Sequence, residues 1–66
     1  MRIQVNGEVL DVDDSLSLPQ LIVKLNLKPE QIAVELNQRV IRRSDWESVA
    51  LAADDKIEIV HFVGGG

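Results

Sequence analysis

Polar and apolar residues alternate through Arg2-Ile3-Gln4-Val5 and again through Glu8-Val9-Leu10-Asp11-Val12, and the Asn6-Gly7 pair between them tolerates the positive φ of a tight turn. The pattern predicts a β-hairpin. After Asp13-Asp14 the period lengthens, and Leu18, Leu21, Ile22 and Leu25 fall on one face of a helix over 18–25. Ser17 and Gln20 have the spacing of a capping box, Leu16 and Leu21 that of a hydrophobic staple, and Pro19 sits in the first turn, where a missing N–H is harmless.

Lys28-Pro29-Glu30 closes the helical region, and Ile32, Val34 and Leu36 then share one face of a strand over 32–36. Asn37-Gln38 turns the chain into a short return strand over 39–41. Ser44 and Glu47 have the spacing of a second capping box, which predicts a brief helical turn. A turn at Asp54-Asp55 leads into the most apolar strand, 56–63, with Ile57, Ile59 and His61 on one face and Val60 and Phe62 on the other. This order predicts an α+β domain: one mixed sheet, a main helix packed across it, and a short helical turn. The intervening segments are long enough for the first and last strands to run parallel.

Composition narrows the chemistry. The chain of 66 residues has 45% hydrophobic residues but only 3% aromatics, so Leu, Ile and Val must build its core, with Phe62 and Trp46 its only large aromatic candidates and Trp46 expected to cap one end. There is no cysteine, and His61 is the lone histidine, so no nucleophile and base pair and no metal-ligand cluster stand out. His61 is expected to be packed or edge-facing, and the chain is not expected to be an enzyme. A net charge of −4 disfavours nucleic acid as a partner, and the basic group Arg39, Arg42 and Arg43 reads as a solvated rim of the sheet ahead of the alternative, a dock for an acidic surface. No apolar run of membrane length occurs, and the expected location is the cytoplasm.

Gly64-Gly65-Gly66 follows the last strand, giving an expected division into a folded domain over 1–63 and a flexible tail over 64–66. Three glycines can thread a narrow channel in another protein, reaching about 10 Å when extended. The reactive atom of such an end is the terminal carboxyl carbon. Ionised at neutral pH, it resists nucleophiles until activated, most simply as a mixed anhydride with a nucleotide. Attack by sulfur on that anhydride would leave a thiocarboxylate.

The opening strand with its Asn6-Gly7 turn, "AVELNQRVIRRSDW" over 33–46 and "DKIEIVHFVGGG" over 55–66 together resemble the ThiS family of thiamine-biosynthesis sulfur carriers along essentially the whole chain. The resemblance implies a β-grasp, ubiquitin-like fold of five strands in which the final strand is central. It implies that a ThiF-type adenylyltransferase activates Gly66 with ATP and Mg²⁺, that a cysteine desulfurase supplies sulfur, and that the thiocarboxylate serves thiazole synthase. The chain itself would bind no cofactor. Gly66 would carry the sulfur, Gly65 would complete the diglycine, and Gly64 would be a spacer. The family often has proline where Arg42 stands and glycine where Asp54 stands. Val60 and Phe62, nearest the reactive end, are expected either to dock partners or to pack beneath a loop. The alternatives are a carrier like the small subunit of molybdopterin synthase, which tends to be longer with a proline before its diglycine, or a ubiquitin-like modifier or interaction module.

Overall fold

The computed structural model describes residues 1–62; Val63, Gly64, Gly65 and Gly66 lie outside the described residues. Two tight turns set the sheet. Asn6 and Gly7 take φ values of 50° and 84°, and β1 (Arg2–Val5) pairs antiparallel with β2 (Glu8–Asp11), Val5 standing opposite Glu8. Asn37 and Gln38, at 51° and 70°, do the same for β3 (Ile32–Leu36) and β4 (Arg39–Ile41). Positive φ at both central residues matches the twist of the flanking strands, which is why asparagine serves here. Into the gap between the hairpins goes β5 (Lys56–His61), parallel to β1 and antiparallel to β3, giving the order β2-β1-β5-β3-β4.

The helix α1 (Leu18–Lys24) begins with the predicted capping box: Ser17 Oγ accepts from the Gln20 N–H at 3.2 Å, and Gln20 Oε1 accepts from the Ser17 N–H at 2.9 Å. It ends one residue earlier than the periodicity suggests, with Leu25 as C-cap. Asn26 then takes φ 58°, its N–H bonding the Val23 carbonyl while the Leu27 N–H reaches back to Ile22. That is a Schellman motif with asparagine in the position glycine usually fills. The buried face of α1, Leu18, Leu21 and Ile22, packs on Ile3, Val34 and Ile57 of the three central strands. Each such aliphatic side chain contributes about 1.5–3 kcal/mol by leaving water.

Three other boundaries differ from the sequence pattern. The second capping box does not form: a 3₁₀ turn over Arg43–Ser48 starts with Arg42 at the N-cap and no side-chain cap bond. Trp46 explains the tighter winding, because its buried indole turns inward to donate to the Ile41 carbonyl at 2.9 Å and closes one end of the core as expected. A 3₁₀ turn over Pro29–Gln31 precedes β3. β2 stops at Asp11 and β5 at His61, short of the ends the alternation implied. The whole is the β-grasp arrangement, a five-stranded mixed sheet crossed by one main helix. No described helix is long and apolar enough to cross a membrane.

Candidate functional site at the end of the central strand

β5 is the strand that precedes the glycines in the sequence, and its two sides are held differently. Its ladder with β1 covers only Gln4 opposite Lys56 and Val5 opposite Ile57, after which β1 turns away. Asn6 continues the ladder alone. Its N–H donates to the Ile57 carbonyl at 2.9 Å, its Oδ1 accepts from the Ile59 N–H at 2.7 Å, and its Nδ2 donates to the Ile59 carbonyl at 3.3 Å. The carboxamide thus substitutes for a peptide group of the missing strand. On the other side β3 holds β5 as far as Ile32 opposite His61, and the Phe62 N–H donates to the Gln31 carbonyl at 2.8 Å.

Asn37 performs a matching role where β5 begins. Its Oδ1 accepts from the Lys56 N–H at 2.9 Å, its own N–H donates to the Lys56 carbonyl at 2.7 Å, and its Nδ2 donates to Asp55 Oδ1 at 2.9 Å. The second oxygen of Asp55 accepts from the Ala52 N–H at 2.7 Å. Asp54 takes φ 69°, the left-handed conformation in which glycine is at ease. Arg42 takes φ −62°, which a proline ring would share. Both departures from the family pattern therefore keep the backbone shapes that the usual residues favour.

Val60 and Phe62 are 55% and 54% exposed, so the loop expected over them in one reading does not cover them. Val60 stands opposite Ala33 on the sheet face turned away from α1, and Val40, 71% exposed, lies on the same face. Phe62 borders an open groove that also meets Ala33, Val40, Arg42, Arg43 and Trp46. Arg39 does not line it, so the basic trio is split. The other face of β5 buries Ile57 and Ile59, and His61 is exposed at its end beside Leu10, Leu25 and Leu27, the edge-facing one of the two placements expected for it. α1 ends at Lys24 and leaves His61 uncovered.

Glu35 stands directly opposite Glu58 on the open face. Among the described residues the ion pairs join the N-terminal ammonium to Asp14 at 2.8 Å and Arg2 to Asp11 at 3.4 Å, and neither glutamate takes part in one. A hydrogen bond from the N-terminal ammonium, and then its charge, hold the Asp14 carboxyl below the usual carboxylate range. Among the described residues no three His, Asp or Glu side chains gather as a metal ion would require. Gly64, Gly65 and Gly66, the predicted sulfur-bearing end, lie outside the described residues. Sequence reasoning missed the two asparagine clamps and the opposed glutamates. The alternation Arg39-Val40-Ile41 was the available sign that Val40 faces outward.

Comparison with known proteins settles the family. The ThiS family matches residues 2–66, nearly the whole chain. The chain belongs to the ThiS family. The sulfur carrier protein ThiS of Bacillus subtilis (strain 168) is 37% identical to it over 65 residues, 97% of this chain and 98% of that one. A crystal structure of the thiamine biosynthesis protein ThiS from Geobacter metallireducens matches the fold with a TM-score of 0.86 at 33% identity, covering 100% of both chains. A thiazole synthase of Magnetococcus marinus is 42% identical over 66 residues, and this ThiS-family chain spans only 20% of that protein's length.

Proposed function

We propose that this ThiS-family chain is a sulfur carrier of thiamine biosynthesis, a protein substrate of its partners rather than a catalyst. A Gly66 carboxylate oxygen attacks the α-phosphorus of ATP on a ThiF-type adenylyltransferase, and pyrophosphate leaves with the partner's Mg²⁺. The terminal sulfur of a persulfide, charged by a cysteine desulfurase, then attacks the acyl carbon and displaces AMP. A thiol reduces the resulting acyl disulfide, supplying two electrons and freeing the thiocarboxylate. Thiazole synthase takes the sulfur.

The observation that carries this reading is the family match running through residue 66, on a chain whose last described strand is held by β3 as far as His61 and by Asn6 as far as Ile59. Support for thiazole synthase as the recipient comes from the thiazole synthases that contain a segment like this chain. The test is intact-mass spectrometry after incubation with adenylyltransferase, ATP, Mg²⁺, cysteine desulfurase and cysteine. The expected change is one oxygen exchanged for sulfur, localised to Gly66. A ladder of lysine-linked conjugates instead would favour a protein modifier, and an unchanged mass without pyrophosphate release would overturn the proposal.

A further inference from the structure

We propose that the adenylating partner, on the sheet face that bears Val40, Val60 and Phe62, inserts an arginine or lysine between Glu35 and Glu58. The inference rests on the carrier reading for the partner's identity. Its chemistry comes from the layout of the face.

The register places Glu58, Glu35 and Val40 in one row across β5, β3 and β4, with Val60 and Ala33 in the next. Directly opposed residues in a sheet have Cβ atoms about 5 Å apart, and like charges so placed destabilise the pair. Among the described residues neither glutamate makes an ion pair. The basic residues nearest on that face are Lys56, two residues back along β5, and Arg42, just beyond the end of β4. The free chain therefore bears an electrostatic cost in the middle of its exposed apolar patch.

A partner that covered the patch with neutral groups would desolvate two like charges together, which is expensive. A long side chain with an apolar stem and a cationic head removes that cost, since guanidinium can bond both carboxylates while its stem lies along Val40 and Val60. A second copy of this chain is a poor occupant at the centre of the patch, because a two-fold axis passing there sets carboxylates against carboxylates. Nucleic acid and anionic membranes are repelled for the same reason.

Removing the two charges has opposite effects on the free and the docked chain, a signature that damage to the fold does not give. In the double variant Glu35→Gln/Glu58→Gln the urea midpoint is expected to rise. The KM of the chain in adenylyltransferase-catalysed pyrophosphate release is expected to rise about tenfold, with kcat within about twofold and a weaker dependence on salt. Phe62→Ala and Val60→Ala are expected to raise KM without changing that salt dependence. An unchanged KM in the double glutamine variant, with KM raised in Phe62→Ala, overturns the inserted cation and leaves the apolar face. An unchanged KM in all three variants overturns the docking face, while turnover of the unaltered chain in the same assay keeps the carrier reading standing. A raised KM with a lowered midpoint in the double variant also overturns the inference, since misfolding then explains it.

Discussion

Replacing Asn6 by glycine separates the two jobs this residue does. Glycine accepts φ 50° as readily as asparagine, so the turn survives. The two bonds from the carboxamide to Ile59, at 2.7 and 3.3 Å, do not. At a net of about 0.5–1.5 kcal/mol for each hydrogen bond, the loss amounts to about 1–3 kcal/mol, a large fraction of the 5–15 kcal/mol typical of a folded domain. With an m-value of about 1 kcal/mol/M in urea, as suits a small chain, the midpoint falls by about 2 M. Asn26→Gly is the matched control: φ is positive there as well, at 58°, and glycine is the preferred residue after a helix C-cap, so its stability is expected to stay within about 0.5 kcal/mol or improve. Amide hydrogen exchange localises the effect. The Ile59 N–H, whose acceptor is Asn6 Oδ1, loses protection in Asn6→Gly more than the amides that pair β1 with β2. Equal midpoints for the two glycine variants, with Ile59 still protected, would refute the clamp.

Three further outcomes are expected. Deleting Gly66 leaves the urea midpoint unchanged but abolishes the oxygen-to-sulfur mass shift, because a chain end contributes little to stability. Trp46→Phe loses the bond from the indole N–H to the Ile41 carbonyl and part of a buried ring, lowering stability by about 1–3 kcal/mol in urea unfolding monitored by circular dichroism. The lowered Asp14 carboxyl contributes stability that is present above the ordinary carboxylate pKa, about 4, and is lost as pH falls through the depressed folded value. The side chain is 91% exposed, so the contribution is small, and Asp14→Asn should only flatten the acid limb of a stability-versus-pH curve measured from pH 6 to 2.

The local elements were legible because each carries its own chemistry. Asn6-Gly7 and Asn37-Gln38 announce turns that need positive φ at two adjacent positions, and Ser17 with Gln20 announces a helix start that forms bond for bond. Where a local pattern met a long-range demand, the demand won. Ser44 and Glu47 have capping-box spacing, yet the burial of Trp46 wound that segment as a 3₁₀ turn that begins earlier. Register between distant strands is not written in spacing at all. Nothing near Glu35 in the chain says that Glu58 will face it. The asparagines read as turn formers, and their second role, bonding the backbone of β5, depends on where a strand comes to lie whose bonded residue is 53 positions from Asn6 and 19 from Asn37.

Because β5 lies between two hairpins, the order in which the chain is made differs from the order in which the sheet is arranged. Each hairpin is local and can form within microseconds, already offering an outstretched amide from its bend. The strand that joins them is made after both. A polypeptide interrupted before Lys56 would own two ribbons and nothing to unite them, with the apolar sides of β1 and β3 left wet. Synthesis must therefore pass β5 before the body is stable, so any molecule sturdy enough to escape proteolysis has been read through the strand that precedes the glycines.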